Sequence, residues 1–386
     1  MNNKLFAVLA LALLCAFNFQ LNTAYAQGTG AIWTSRPWNA QWRSIASSAD
    51  GTKLYAASPG VIMTSTDSGV TWTIRNTSQS WYFVTCSADG TKLAASCADA
   101  TSVFTSTDSG ATFTLRPSSP QEVQCIASSA DGTKLATASP YDIYTSADSG
   151  VTWVDQTESG PMNWRSIASS SDGTKLVAVV HGGWINTSTD SGVTWTPRDS
   201  PRTWNAVASS ADGTKLVAVD GAPGQIYTST DSGTNWTPRA ISANWQAVAS
   251  SADGTKLVAA VLNGQIYTST NSGTKWTAGD TNRAWVDVSS SSDGTKLAAV
   301  ENAGASGGLI YISGVVIAPT LTIVNLGTNV GVAWPYPSTG WTLQQNSNLT
   351  SVSWSPTGGV TNNGRVNHIA IAPTAGALFF RLQPQP

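Results

Sequence analysis

The sequence predicts an all-β protein: a seven-bladed β-propeller closed by an N-terminal strand, with a small β-sandwich after it. Three observations carry that expectation. The string S-[AS]-D-G-T-K-L recurs at Asp50, Asp89, Asp131, Asp172, Asp212, Asp253 and Asp293, with gaps of 39, 42, 41, 40, 41 and 40 residues. A fixed period near that length marks a propeller, a solenoid or an array. Each interval holds four short apolar segments between turn residues, and no segment has the 3.6-residue period of a helix. The composition agrees: 386 residues include 34 Gly and 17 Trp, only 11% charged residues, and Glu only at Glu122, Glu158 and Glu301.

Residues 1–26 read as a signal peptide: Lys4, an apolar run from Leu5 to Phe17, and an A-x-A site at Ala24-Tyr25-Ala26. The run is too short to cross a bilayer comfortably, and no later segment is long and apolar enough. The mature chain is therefore expected to be exported, without a membrane span and with three cysteines, Cys86, Cys97 and Cys125. An odd number leaves at least one thiol free or paired between chains.

One repeat can be read through. Arg165–Ser169 is strand A. Asp172-Gly173 is a turn of the kind that favours type I′. Leu176–Val180 is strand B and Trp184–Thr187 strand C. A second turn, from Ser188 through Asp190 and Gly192 to Trp195, leads into strand D. Four strands per unit describe a propeller blade. The seventh copy stops at Leu309–Ile312 without its last strand, and the missing strand is found at the other end. Ile32-Trp33-Thr34-Ser35-Arg36 matches Thr194-Trp195-Thr196-Pro197-Arg198, and both Trp residues stand nine before the next strand-A Trp. The N-terminus should complete the last blade, which removes an open sheet edge. The propeller spans residues 31–313, a linker 314–318, and a β-sandwich 319–386 built of short apolar segments between Gly, Pro and Asn breakers.

The second turn is S-x-D-x-G-x-x-[WF], at Asp67/Gly69/Trp72, Asp108/Gly110/Phe113, Asp148/Gly150/Trp153, Asp190/Gly192/Trp195 and Asp231/Gly233/Trp236, with Asn271/Gly273/Trp276 as a sixth copy. It resembles the Asp-box, or BNR, repeat of propellers that include sialidases, endoglucanases, sortilin-like receptors and photosystem II assembly-factor-like proteins. The resemblance implies the scaffold and leaves function to the site. The tail resembles fibronectin-like C-terminal modules through V-x-W-P, G-W-T-L-Q-Q-N and L-F-F-R-L, which implies an accessory role. A sialidase-like site needs an Arg triad and an Arg-Ile-Pro segment, and Arg36-Pro37 lacks the Ile.

The turn motifs are constant across the repeats and should form a structural face. The D–A and B–C loops vary and should carry binding. Three sets of residues qualify there. Trp42, Trp81, Trp164, Trp204, Trp245 and Trp285 open strand A in six repeats and could stack sugars, or could wedge between blades. Arg36, Arg75, Arg116, Arg198 and Arg239 follow the strand-D aromatic by three, and Arg43 and Arg165 follow the strand-A Trp directly. These could form an anion-binding rim, since Arg reads carboxylates through a fork of donors. Among acids outside the turns, Asp220, Asp287 and Glu301 are the candidate carboxylates of a hydrolase, which needs two across a glycosidic bond. Formal charge is −2, which leaves no basic footprint for nucleic acid. Two histidines and few cysteines argue against a metal site. The expected function is a non-enzymatic, cofactor-free, monomeric binder of a glycan or an extracellular protein, with a glycoside hydrolase as the alternative.

Overall fold

The computed structural model describes residues 33–76, 79–98, 102–156, 162–221, 223–239 and 242–313, and in the tail 322–325, 329–335, 341–347, 355–362, 366–371 and 379–384. The leader, the linker 314–318, Asp99, Glu158 and the tail segment Ser353-Trp354 lie outside these residues. Apart from one short turn at Gly304–Ser306, every described element is a strand.

In the first repeat Ser44–Ser47, Leu54–Ser58, Val61–Ser65 and Thr73–Asn76 pair in chain order as one antiparallel sheet. Repeats 2 and 3 do the same, the latter through Cys125–Ser128, Leu135–Ala138, Ile143–Ser146 and Val154–Asp155. Farther along, strands merge. Leu176–Ser188 joins strands B and C of repeat 4, and Thr196–Ser209 joins its strand D to strand A of repeat 5. Leu257–Ser269 and Thr277–Ser290 repeat that arrangement for repeats 6 and 7. The Trp33–Ala40 strand pairs antiparallel with Gly308–Ser313, setting Trp33 opposite Ser313 and Arg36 opposite Ile310. The N-terminal segment thus lies in one sheet with the strands of repeat 7.

Strand B of each repeat is buried on both faces because a neighbouring sheet packs on either side, so it is mostly apolar, with small polar residues such as Ser96 and Thr137 among the rest. Val177, Ala178 and Val179 are all buried, and Val177 and Val179 join a cluster with Trp204 and Val207 of repeat 5. The same logic recurs from repeat to repeat. Trp42 packs with Ala298, Val300, Ile310 and Ile312, which joins repeat 1 to repeat 7.

The A–B turn differs from the expected type I′. Gly51 N–H donates to Ser48 O at 2.9 Å, Gly51 has φ +66, and Asp50 is absent from the residues with positive φ. One glycine, and not the pair, takes the left-handed conformation, because the carboxylate organises the rest. Asp50 Oδ1 accepts the Ser48 hydroxyl at 2.6 Å and the Thr52 N–H at 2.9 Å. A Cβ on Gly51 would meet Lys296 Cδ at 2.7 Å, so the glycine also makes room for the lysine stem of a neighbouring repeat. Lys296 Nζ donates to Asp50 O, and Lys53, Lys175, Lys215 and Lys256 reach the next turn in the same way. This explains why Asp, Gly and Lys are constant together. Backbone bonds connect the same turns in series: Ala49 to Ala88, Ala88 to Ala130, Ala130 to Ser171, Ser171 to Ala211, Ala211 to Ala252, Ala252 to Ser292, and Ser292 to Ala49, at 2.7–2.8 Å.

The second turn uses the same chemistry. Asp67 Oδ1 accepts the Ser65 hydroxyl and the Thr71 N–H, both at 2.8 Å, while the Ser65 oxygen accepts Gly69 N–H. In the copy with Asn271, the amide oxygen accepts the same two bonds, from Ser269 and Lys275. In the Asp copies the second oxygen also accepts a side-chain donor, as Asp67 Oδ2 does from the Thr71 hydroxyl at 2.6 Å; Asn271 keeps the two Oδ1 bonds, and Lys275 stands where that donor would be.

In the tail, Thr322–Asn325, Val330–Pro335, Val366–Ile371 and Thr361–Asn362 form one sheet, and Ser355–Pro356, Trp341–Asn346 and Phe379–Pro384 another. Val332 and Trp334 of the first pack with Leu343 of the second, covered by Ile369, Ile371 and Phe380.

Candidate functional site

Sequence leaves two roles open for the six strand-A indoles, a stacking surface on the loop face or a wedge between blades. The structure buries all of them: Trp42, Trp81, Trp204, Trp245 and Trp285 at 0% exposure and Trp164 at 2%. Each packs on apolar residues of the preceding repeat, as Trp245 does on Val217, Val219 and Ile226. The reason is geometric. Strand A carries an extra residue after the Trp: Trp164 faces Val180 while Ser166 faces Val179, and Trp204, Trp245 and Trp285 repeat that offset. A bulge of this kind re-aims side chains. The Trp is left in the interface, and the residue after it takes the more accessible position. These six Trp residues are therefore structural wedges and offer no platform to a ligand.

The strand-D arginines are also placed away from the loop face. Arg75, Arg116, Arg198 and Arg239 donate from Nε to Thr64, Thr105, Thr187 and Thr228, at 2.7–3.0 Å. Each Thr lies on strand C of the same repeat, and Gln156 substitutes for Arg in repeat 3 by bonding Thr145. Arg36 instead donates to Gly69 O of repeat 1, where burial pulls its guanidinium below the ordinary value and Asp67 opposes that shift. In the separate sheets, strand D is the outer edge. The arginines line that edge, and no rim forms around a central opening.

The acids do not assemble a pair. Asp287 Oδ2 accepts Ile45 N–H of repeat 1 at 2.9 Å, and Oδ1 accepts Val288 N–H. Burial pushes its carboxyl up to about 6, against the lowering effect of the bonds from Ile45, Ser44 and Val288. At the equivalent position Ser44 and Ser166 use a hydroxyl to accept Val84 N–H and Val207 N–H of the next repeat. Asp287 is thus the fastener between repeats 7 and 1. Glu301, on strand B of the same repeat, turns toward strand C, where Oε1 accepts the Tyr311 hydroxyl at 3.0 Å and Leu309 N–H at 3.3 Å.

Asp220 and Glu301 belong to two matching sets that sequence reading had only half seen. In repeat 5 the Arg202 guanidinium lies 4.5 Å from the Tyr227 ring centroid and 5.7 Å from that of Trp204, and its Nε pairs with Asp199 at 3.3 Å. Asp220 stands opposite Trp204 and accepts the Thr203 hydroxyl at 2.7 Å. In repeat 7 Arg283 lies 4.5 Å from Tyr311 and 5.9 Å from Trp285, with Glu301 opposite Trp285. The arginines were missed, although D-x-x-R-x-W at Asp199–Trp204 and Asp280–Trp285 was a readable signal. Repeat 6 has Ala243, Trp245, Val261 and Tyr267 at these places, so the polar members are replaced together. In repeat 2 Gln79 accepts a bond from Cys97, which faces Trp81. The variable positions thus vary as sets, the arginine and the acid being exchanged together while the strand-A Trp stays.

Two large side chains on the B–C turns remain open: Tyr141 of repeat 3 is 55% exposed and Trp184 of repeat 4 is 43% exposed. Arg165 and His181 of repeat 4 are exposed as well. Between repeats 4 and 5 a cavity of about 10 Å³ lies against Lys175, Thr187 and Gly213, near the turn motifs, with room for about one water. Among the described residues no group of His, Cys, Asp and Glu has the arrangement of a metal site, and no helix is long and apolar enough to cross a membrane. Cys86, Cys97 and Cys125 are all free thiols, and burial pushes Cys86 and Cys125 up to about 12.

No protein-family model matches the sequence, and no curated protein does. Solved structures match the fold. YCF48 from Cyanidioschyzon merolae aligns with a TM-score of 0.57 at 15% identity, over 73% of this chain and 99% of that one. A second structure, YCF48 bound to D1 peptide, aligns with the same score and identity over 74% and 99%. At this identity the likeness establishes an all-β propeller architecture.

Proposed function

We propose that this chain is an exported, seven-bladed propeller that binds a segment of another protein on its loop face, without catalysis. The observation that carries the reading is the pair of exposed aromatic side chains, Tyr141 and Trp184, on B–C turns of adjacent repeats. Aromatic residues dominate the energetics of protein interfaces, and large exposed ones on a rigid scaffold are the first candidates for anchors. The bound peptide in one of the similar structures gives the reading a precedent on this architecture. Against hydrolysis stands the engagement of the carboxylates: Asp287 with Ile45, Glu301 with Tyr311 and Asp220 with Thr203.

Seven blades and closure by the Trp33–Ala40 strand are part of the proposal. The pairing with Gly308–Ser313 and the series of bonds that returns from Ser292 to Ala49 support them. The tail, with its two sheets over Trp334 and Leu343, is proposed as a separate accessory module.

The test is selection of a displayed random-peptide library on the purified chain, followed by affinity measurement on the selected peptides. Trp184→Ala and Tyr141→Ala should each weaken the selected peptides by about tenfold or more, the effect of losing an anchor worth roughly 1.4 kcal/mol or more. Selected peptides that ignore both substitutions would overturn the assignment of this surface. A glycan array probed in parallel decides the sugar alternative: binding there with none to peptides would replace the protein partner by a glycan.

A further inference from the structure

The strand-A bulge places one side chain per repeat at the loop-face end of the central A strands. In order these are Arg43, Tyr82, Gln124, Arg165, Asn205, Gln246 and Val286. The register fixes the last four, since Arg165, Asn205, Gln246 and Val286 are the extra residues between paired neighbours. Arg43 and Gln124 are in the same situation: Arg43 N–H donates to Ala57 O, which also faces Ser44, and Gln124 N–H donates to Ala138 O, which also faces Cys125. Tyr82 sits in the irregular stretch between Trp81 and Val84. Consecutive A strands contact one another from repeat 1 round to repeat 7, and strand A of repeat 7 contacts that of repeat 1. The bulged residues therefore gather around the centre of the face.

Their chemistry is unequal. Repeats 1 to 4 contribute two guanidiniums, a phenol and an amide. Repeats 5 to 7 contribute Asn205, whose amide is spent on Trp245 O at 2.8 Å, then an amide and an aliphatic residue. Arg43 lies 5.1 Å from the Tyr82 ring centroid, and its Nε is buried with no hydrogen-bond partner. Arg165 is exposed, and its charge acts on Cys125 of the adjoining repeat. Among the described residues the ion pair present is Arg202 with Asp199, so neither Arg43 nor Arg165 is neutralised by a described carboxylate. Asp287, the acid on a neighbouring A strand, directs its oxygens to Ile45 and Val288. A guanidinium that no carboxylate neutralises keeps donors for a bound acceptor.

We propose that this half of the central mouth is a site for a compact oxyanion, a carboxylate, phosphate or sulfate group, held by Arg43 and Arg165 with Tyr82 and Gln124 between them. Guanidinium donors match such groups through parallel hydrogen bonds. The site stands on different residues from Tyr141 and Trp184, so the peptide reading and this one fail separately. Glu122, exposed two residues before Gln124, is the carboxylate on the same loop and should oppose anion entry.

The experiment is titration of the full chain with inorganic phosphate, sulfate and acetate at constant ionic strength, followed by calorimetry and Tyr/Trp fluorescence. Phosphate or sulfate should bind saturably at one site per chain. Arg165→Gln and Arg43→Gln should each weaken it by about tenfold, the loss of one charge-assisted pair. Glu122→Gln should tighten it, and Arg202→Gln, whose guanidinium already has Asp199, should leave it unchanged. Acetate binding equally well would assign the site to a carboxylate, and preference for phosphate or sulfate to a tetrahedral oxyanion. Absence of saturation with all three anions, or equal weakening by Arg202→Gln, would overturn the proposal. Arg165 is exposed, so its substitution should leave the melting temperature unchanged and keep the test readable.

Discussion

Repeats 5 and 7 hold a guanidinium, an indole, a phenol and a carboxylate together; repeats 3 and 4 hold exposed aromatics and an arginine apart. The two regions use the same residue types on the same face. In repeat 5 Arg202 is covered by Tyr227 and Trp204 and paired with Asp199, so its charge is consumed internally. In repeats 3 and 4 Tyr141, Trp184 and Arg165 remain accessible. A cation or an aromatic on a loop face thus says little until its partners are counted. Satisfied sets stabilise the scaffold, and unsatisfied ones are where a ligand gains free energy.

The comparison can be broken most decisively at the seam. Removing residues 27–37 should cost more than any point substitution, because repeat 7 would lose its pairing with Trp33–Arg36 and the Trp33–Trp285 contact at 6.2 Å. Thermal unfolding measures it, and an unchanged midpoint would show that this strand is dispensable. Next, Trp204→Ala should destabilise by about 3–5 kcal/mol, the usual result of emptying an aromatic site in a core. Trp184→Ala should stay within about 0.5 kcal/mol in the same denaturant titration. Similar losses at both positions would remove the distinction between wedge and anchor.

Two smaller effects have opposite signs with pH. The Asp287 carboxyl, raised to about 6 when folded, binds a proton that the unfolded chain has released. Its contribution to stability is present below about pH 4 and lost as pH rises to about 6, by roughly 1–3 kcal/mol. Asp287→Asn should flatten that slope in urea titrations across the range. The turn carboxylates behave oppositely. Asp50, Asp89 and Asp131 are held down to about 2, first by the bonds from Ser48, Ser87 and Ser129. Their contribution is present above about pH 4 and lost as pH falls toward about 2. Acid unfolding should therefore begin in the turns and spare nothing specific to the loop face. The smallest effect is the coupling inside one set: a double-mutant cycle on Arg202→Ala and Asp220→Ala should give an interaction of about 0.5–1.5 kcal/mol. A cycle on Arg165→Ala and Asp220→Ala should give none.

Much of the fold was legible because it rests on local chemistry repeated many times. The period, the two turn motifs and the four strands follow from residues close in sequence. Even the partner of Trp33–Ala40 could be found, since a missing strand D in one repeat matched a surplus one at the other end. The type I′ turn was misjudged because the Asp50 carboxylate, through Ser48 and Thr52, takes over the work that a second positive φ would have done. The candidate site was far less legible. Arg198 and Trp204 looked like ligand contacts, but one bonds Thr187 and the other is fully buried.

The sequence by itself determined the number of repeats, their turns and the apolar character of each strand B, because those depend on neighbours a few residues away. Tertiary structure alone decided which repeated side chains face solvent. One extra residue in strand A turns Trp164 into the interface and leaves Arg165 outside it. It also decided which charges are spent, since Asp287 meets Ile45 across 242 positions of chain. Alternation along a strand has a period of two, so a single bulge reverses what sequence spacing predicts.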